Sequence, residues 1–473
     1  TGLSMIQSTL WVGQILNIFA IIALYPLAVM IGKNKWAGVF ALFIAGMISS
    51  MPMVYVNWGR YTQLAGQIIL PAVILIAWKN LDSEDNSFRW HSLVWVGLAG
   101  VALTHYRVMI FIPLFYISYF LFHFKKRRSG KIITRTFIHA GGRLLFIFPW
   151  VIRLFEGTLP RIFGSQISTS ASNVSEALQN SNTIGYITSY LPAYVWFLML
   201  LAVGWGIFSR NRKSMIFSFW WLLIFLTANP NLLRLPGTGV LTNFAVFIAA
   251  YIPAGILVGA SLAGFLARVG ILHPDESHLE DEPGVDPGQR GMRTASVILL
   301  LTTVLLGAWF VRPRIRDVRP AEHALLTRPD LQAANWIEEN LPVDAKFLVN
   351  SFFAYSGTLV VGSDGGLWLP LLTTRESTQP PLLYGSERAT EAQYVQFTNS
   401  LVALIEEKGI DHPEVLQELN QRNITHIFIG QQQGQVNTKS PLLDPQDLVE
   451  SRFFRPVYHQ DRTWIFSVAQ GNS

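Results

Sequence analysis

The chain has 473 residues, 51% of them hydrophobic and only 14% charged, with a formal net charge of +6 and no cysteine. A soluble domain carries roughly 25% charged residues, so the composition excludes a wholly soluble protein. The missing thiols exclude disulfides, thiolate metal sites and a cysteine nucleophile. The positive charge lies in loops between apolar runs, as in a polytopic membrane protein, which leaves nucleic acid no role as a partner.

A membrane-spanning helix needs about 20 apolar residues. Read in chain order, candidate spans are 10–31, 37–56, 63–78, 92–106, 108–124, 141–155, 187–208, 214–228, 240–267 and 294–311. Ten spans are therefore expected. The 214–228 stretch is short for a full crossing, and 132–143 reads as an interfacial helix leading into its neighbour. The opening "TGLSMIQSTL" has neither an initiator Met nor a signal peptide and enters an apolar run directly, which reads as a chain trimmed at its N-terminus.

Lys and Arg in short loops set orientation. The densest clusters, "KKRRSGK" (125–131) and "RNRK" (210–213), fall on one side of the expected topology. Placing that side in the cytoplasm puts Lys33, Lys35, Lys79, Arg89, Arg268, Arg290 and Arg293 there too, whereas the opposite loops hold Arg60, Arg107, Arg153, Arg161 and Arg234. "RPRIRDVRP" (312–320) runs against this assignment. Residues 270–293 read as an acidic cytoplasmic linker rich in Pro and Gly, without fixed structure.

These features divide the chain into a transmembrane domain, 1–311, and a soluble extracytoplasmic α/β domain, 312–473. Within the second, 330–341 predicts an amphipathic helix and "AKFLVNS" a strand. Helices are expected at 391–408 and 412–422, a strand at 425–430, and a terminal hairpin turning near Gln460-Asp461.

Four polar clusters fall at the outer surface: "NWGRYTQ" (57–63), "THYR" (104–107), "WVIRLFEG" (150–157) and "ANPNLLRLPGTG" (228–239). An Arg at a membrane surface can simply snorkel to lipid headgroups. Arg60, Arg107 and Arg234, however, come from separate loops, each flanked by hydrogen-bonding or helix-breaking residues. Arg binds phosphate through paired donors, so the three, with His105, are candidates for a lipid phosphate. Asn57, Tyr61 and Asn231 are candidate pocket residues beside them, and Glu156 is the one acidic side chain next to a span on this side.

Residues 158–186 form a long polar loop, read as a lid or an unstructured segment, with "NVS" (173–175) as a weak glycosylation pattern. In the soluble domain "VGSDGGLWLPLLTTRESTQPPLLYGSE" (361–387) joins Asp364 to two glycines and Trp368, with Arg375 and Tyr384 further on. Such glycines permit close approach of a ligand; an Asp-Gly-Gly turn with a core Trp is the alternative. The sequence holds no GxSxG, no HExxH, no P-loop and no Cys/His cluster. Charges within the spans are scarce, which argues against an ion-coupled pump.

The segments "MPMVYVNWGRYTQLAGQIILP", "LTHYRV", "NPNLLRLPGTGVLTNF" and "SDGGLWLPLLTTREST" look like parts of prokaryotic membrane proteins grouped with the GT-C glycosyltransferases. That class includes oligosaccharyltransferase catalytic subunits and protein mannosyltransferases. The resemblance extends over most of 10–470. It implies a polytopic α-helical, GT-C-like integral protein of a prokaryotic cell membrane. It further implies transfer of a sugar from a polyprenyl-phosphate or -diphosphate donor to an acceptor at the outer face. Arg60, His105, Arg107 and Arg234 would hold the donor phosphate, Asn57, Tyr61, Asn231 and Trp368 would line the pocket, and membrane lipid would surround the protein. The class commonly uses a first-loop Asp or Glu as base or as ligand to a divalent metal, Mg2+ or Mn2+. This chain has no acidic residue before Asp82, so the acid is expected on missing N-terminal spans, with Asp364 or Glu156 as substitutes. A non-catalytic lipid-glycan binding or translocation protein would use the same Arg-rich cleft, and a surface-polysaccharide polymerase or ligase relying on Arg and His is a third reading.

Overall fold

A computed structural model describes residues 2–124, 126–156, 182–184, 187–235, 237, 239–272, 287–316, 324–354, 357–385 and 393–469. The long polar loop, including 173–175, and most of the acidic linker lie outside these residues. The chain divides into two compact units, one from residues 1–151 and 161–318, the other from 152–160 and 319–473.

The first unit is helical. Its opening apolar run is α1 (Met5–Ile22) and α2 (Leu24–Gly32). The chain breaks between them because Pro26 has no N–H for the carbonyl of Ile22 and its ring collides with that carbonyl. Then come α3 (Lys35–Phe43), which runs into a π turn at Ile44–Ile48, and the short α4 (Met53–Asn57). Next are α5 (Tyr61–Asp82), α6 (Phe88–Thr104) and α7 (Tyr106–Phe122). Lys126–Glu156 is one continuous helix, α8, where the sequence predicts an interfacial helix followed by a separate span. Completing the unit are α9 (Ala193–Phe208), α10 (Arg212–Ala228), α11 (Asn243–Arg268, with a π turn at Ala254–Val258) and α12 (Pro287–Arg316).

Among the described residues, four helical stretches are long and apolar enough to cross a membrane: Met5–Gly32, Tyr61–Asp82, Ser129–Glu156 and Asn243–Arg268. Lys35–Ile48, Tyr106–Phe122, Ala193–Phe208 and Val297–Arg312 are apolar but shorter. The first group includes the helices at the centre: α5 buries Leu64, Leu70, Ile74 and Trp78, and α11 buries nearly everything from Asn243 to Ala260. Large apolar side chains face outward elsewhere, with Leu145 75% exposed, Phe137 73%, Leu200 71% and Leu305 70%. In water such a surface would aggregate; in lipid it is the ordinary outer face.

Helices held in lipid gain little from apolar burial against one another, so small residues that admit close approach supply the packing. Gly259 meets the backbone of α3 so closely that a Cβ there would lie 2.6 Å from Ala37 O and 2.8 Å from Ala41 N. Gly66 does the same for the turn after α6, with Thr104 Oγ1 3.1 Å and Val108 Cγ2 3.3 Å from the place of a Cβ. That contact sets the first turn of α5 beside the first turn of α7.

The second unit has a five-stranded sheet. Its strands are β1 (Lys346–Val349), β4 (Glu376–Ser377), β5 (His426–Ile429), β6 (Phe454–Gln460) and β7 (Thr463–Val468), in the order β4-β1-β5-β7-β6. The strands β2 (Ser351–Ala354) and β3 (Leu359–Gly362) form a separate ribbon. β1 runs parallel to β4 and β5, while β7 is antiparallel to β5 and β6. The predicted terminal hairpin is present, and Asp461 and Arg462 turn it with φ of 47° and 70°, both left-handed. Helices α13 (Arg328–Asn340), α15 (Tyr394–Lys408) and α16 (Pro413–Gln421) match the predicted helices within a few residues; the short α14 (Leu369–Thr373) and α17 (Pro445–Glu450) complete the unit.

Candidate anion-binding site

The first unit brings Arg60, His105 and Arg107 together where α5 and α7 begin. Arg60 is the N-cap of α5 and His105 the N-cap of α7, and neither end has a side-chain cap. A Ser or Asp at these positions would accept the free N–H groups of the first turn. Here cationic or donor side chains stand in their place, so two positive helix ends and two guanidiniums share one corner.

The guanidinium of Arg60 lies over the ring of Phe244, 5.1 Å from its centroid. Phe244 stacks on Trp58 at 5.9 Å, and Tyr190 meets both edge-on, at 5.6 Å and 5.9 Å. Arg107 lies 5.4 Å from the Tyr106 centroid, and Tyr106 stacks on His105. The charges of both arginines bear on the hydroxyl of Tyr55, a fully buried residue. That hydroxyl accepts Gln67 Nε2–H at 3.1 Å.

Three facts describe the electrostatics. Neither Arg60 nor Arg107 forms an ion pair among the described residues. Arg107 Nε, His105 Nδ1, Gln63 Oε1, Gln67 Oε1 and the Tyr251 hydroxyl are buried without hydrogen-bond partners. The His105 imidazole is pushed down to about 4, first by burial, then by Arg107 and Arg60. It is therefore neutral at pH 7. Of the orphaned atoms, Arg107 Nε–H and the Tyr251 hydroxyl can donate to an anion, whereas the two glutamine oxygens only accept.

The other predicted residues fall as follows. Tyr61 opens α5 and packs its hydroxyl on Gly13 of α1. Asn57 ends α4, half-buried. Asn231 and Arg234 are exposed on the 3-10 turn after α10, with Arg234 in a left-handed conformation at φ 55°. No contact joins Arg234 to the Arg60 cluster among the described residues, so the structure gathers three of the four predicted phosphate ligands. Glu156 is exposed at the end of α8.

Asp364 is not placed to act as a base: its side chain is fully enclosed in the second unit. Its Oδ1 accepts Gly366 N–H at 2.9 Å; its Oδ2 accepts Gly430 N–H at 3.0 Å, Gly434 N–H at 3.1 Å and Asn350 Nδ2–H at 3.1 Å. Burial pushes its carboxyl up to about 6, and the backbone and Asn350 donors pull the other way. Trp368, half-buried, closes the 3-10 turn that Asp364 caps. Arg375, also buried, donates to the carbonyls of Leu341 and Pro342 just past α13. Both are supports of the fold.

Two networks carry no motif in the sequence. Asn229 and Asn243 exchange amide hydrogen bonds of 2.6 Å and 2.7 Å, and Asn182 closes the cluster by accepting Asn243 N–H at 2.7 Å. This fixes both ends of the loop that carries Arg234 and sets Phe244 under Arg60. In α8, Arg135 and His139 are buried, where the sequence predicts an interfacial helix. Arg135 binds the carbonyls of Asn80, Ser83 and Asp85 at the end of α5. His139 bridges the Tyr116 hydroxyl at 2.8 Å and Asn80 Oδ1 at 3.1 Å. Among the described residues no three His, Asp or Glu side chains gather to ligate a metal, so the divalent ion expected from the resemblance finds no ligand set there.

The sequence matches no family profile and no curated protein. Solved structures do match. One is an oligosaccharyltransferase of Archaeoglobus fulgidus tethered to an acceptor peptide, at 11% identity and TM-score 0.48, covering 89% of this chain and 57% of that one. This chain thus spans little more than half of that protein's length. Another is ArnT of Cupriavidus metallidurans bound to undecaprenyl phosphate, at 14% identity and TM-score 0.49, covering 98% of this chain and 84% of that one.

Proposed function

We propose that the chain is an integral membrane glycosyltransferase that moves a sugar from a polyprenyl-phosphate-linked donor to an acceptor at the outer face of a prokaryotic membrane. In this reading the shorter apolar helices complete about ten crossings and the second unit lies outside the cell. One observation carries the proposal: Arg60 and Arg107, without acidic partners, converge with neutral His105 at two uncapped helix N-termini. The donor phosphate sits against the two guanidiniums. As the bond from sugar C1 to phosphate oxygen breaks, negative charge grows on the departing lipid phosphate, and fixed cations stabilise that charge more than they stabilise the bound donor. The aromatic wall of Trp58, Tyr190 and Phe244 keeps Arg60 in place. The acceptor hydroxyl must lose a proton; His105, neutral, can take it once the phosphate offsets Arg60 and Arg107. No step passes through a metal.

A second reading, a non-catalytic lipid-glycan binder, is favoured by the lack of any carboxylate paired with Arg60 or Arg107 among the described residues. One experiment separates the two. The full chain in nanodiscs is given a polyprenyl-phosphate sugar, and donor binding and sugar release are measured together. Transferase function requires both, each lost in Arg60→Glu/Arg107→Glu. Binding without release on any acceptor favours the binder, and unchanged binding in the charge-reversed pair overturns both readings.

A further inference from the structure

At the opposite end of α5, roughly 33 Å along a helix of this length, the first unit holds a polar feature that the transferase reading does not use. It is a cavity of about 570 Å3 lined by Lys33, Arg210, Arg212, Lys213 and Arg268 against, among the described residues, the single carboxylate of Asp82. Asp82 already accepts the Tyr119 hydroxyl at 2.6 Å. None of the five cations forms an ion pair among the described residues. Arg212 donates to Phe122 O, Lys213 donates to Met30 O at 3.4 Å, and Arg268 stacks on Phe208 at 5.6 Å. Lys33 and Arg210 have no side-chain hydrogen bond among the described residues.

The geometry is built rather than incidental. Lys33 and Arg210 each hold φ at 53°, in the left-handed region where a helix end ordinarily uses glycine. Both strained positions carry a cation instead. Asn211 locks them together: its Nδ2–H donates to Ile31 O at 2.9 Å, and its Oδ1 accepts Ser214 N–H at 3.2 Å. The end of α2 and the α9–α10 loop are thereby tied over the same cavity. Trp78 and Trp205 supply apolar lining. Nearby on α9 and α11, Ile207, Phe208 and Phe265 face outward, 61%, 68% and 47% exposed. The cavity therefore lies beside an apolar surface suited to acyl chains.

We propose that this cavity binds the phosphate of an anionic ligand, with Lys33, Arg210 and Arg268 as principal donors. Five cations facing one occupied carboxylate repel one another, and phosphate, which accepts several charged hydrogen bonds at once, relieves that repulsion. A choline headgroup brings its own cation and compensates less. A phospholipid headgroup and a soluble phosphate offer the same chemistry, and the test distinguishes them. The inference is independent of the transferase reading because it uses other residues.

The full chain is reconstituted in nanodiscs of phosphatidylglycerol or phosphatidylcholine, and retained lipid is counted by native mass spectrometry. Inorganic pyrophosphate binding is measured in phosphatidylcholine nanodiscs. Wild type is expected to retain phosphatidylglycerol selectively. Retention should fall about 25-fold in Arg210→Ser/Arg268→Ser, taking the usual value of a surface cation twice, and largely persist in Arg210→Lys/Arg268→Lys. Lys33 is exposed, so Lys33→Gln should fold regardless and lose about 5-fold. Pyrophosphate binding that the same variants abolish, without lipid preference, assigns the site to a soluble phosphate. Equal retention of both lipids with no pyrophosphate binding, or variants indistinguishable from wild type, overturns the proposal.

Discussion

Replacing Arg60 by Ala tests the candidate site most directly, because the side chain has no structural partner beyond one ring. It is exposed and lies 5.1 Å from the Phe244 centroid, a contact of about 0.5–1 kcal/mol at an exposed site. Its loss should therefore leave the thermal unfolding of the empty protein nearly unchanged. Bound phosphate is another matter. A hydrogen bond to a charged group contributes about 1.5–3 kcal/mol, and loss of the stacking that orients it brings the total to about 3 kcal/mol. At 1.4 kcal/mol per decade, polyprenyl-phosphate affinity should fall about 100-fold, read from the quenching of Trp58 emission in nanodiscs. Arg60→Lys keeps the charge but loses the planar paired donors and should fall about 10-fold. His105 supplies an internal check: Arg60 is one of the charges holding its imidazole near 4, so Arg60→Ala must move that titration upward toward 6.5. Wild-type affinity together with an unmoved His105 titration would refute the convergence of these residues on one anion.

The remaining predictions follow from the same geometry. Because bound phosphate favours imidazolium, binding takes up a proton at His105, and affinity should rise as pH falls from 7 to 5 relative to His105→Gln; phosphate's own titration cancels in that comparison, and parallel curves would exclude His105 from the contact. Asn243→Leu removes the side-chain donor to Asn229 Oδ1 and to the Asn182 main-chain carbonyl, at a cost of about 2–4 kcal/mol, and should show as a lowered melting temperature and weaker donor binding. In the second unit, the raised Asp364 carboxyl means that the folded state holds a proton the unfolded state has lost. Its contribution is full below about 4 and disappears as pH rises through about 6, so stability should gain about 1 kcal/mol between pH 7.5 and 5. That gain, seen as hydrogen-exchange protection of the 426–436 segment corrected for intrinsic rates, should be missing in Asp364→Asn, which should also lower protection at every pH by placing an amide against backbone N–H donors.

Some of this was legible in the sequence because it follows from local chemistry. The predicted helices and hairpin of the second unit appear within a few residues because their periodicity and turn residues agree with their packing. The Arg60 and His105–Arg107 turns were found as short polar interruptions between apolar runs. That they meet depends on Gly66, whose small size only matters once α5 and α6 pack together. The Asn229–Asn243 pair was not legible, since each Asn alone reads as a turn residue or a cap and the third member, Asn182, lies 61 residues before Asn243. The glycine argument at Asp364 had the right physics and the wrong partner. Close approach does occur there: a Cβ on Gly366 would lie 2.7 Å from Val349 Cβ, and one on Gly430 would lie 2.7 Å from Gly365 N. What approaches the carboxylate, however, is the protein's own backbone. In α8 the buried Arg135 and His139 lie on a helix whose mixed polarity reads as interfacial until Asn80 and Tyr116 are placed beside them.

The charge balance at the Arg60 corner also predicts which headgroup it prefers. Among the described residues, two guanidiniums and two helix N-termini meet with no ion-paired acid, and the two arginine charges add to burial in keeping His105 neutral. A single carboxylate would compensate one of the two arginines and leave the other opposed by nothing. A phosphate monoester, with up to two charges and three terminal oxygens, can engage both while taking the exposed N–H groups of α5 and α7. A polyprenyl chain ending in phosphate should therefore bind at least 10-fold more tightly than the same chain ending in carboxylate, taking about 1.5 kcal/mol for the second charged contact. The preference should collapse in Arg107→Gln, where one guanidinium remains, and survive in Arg234→Gln, whose side chain is exposed and touches neither arginine. If carboxylate and phosphate bind alike, the two arginines act separately as lipid-surface anchors, and the corner is not a site.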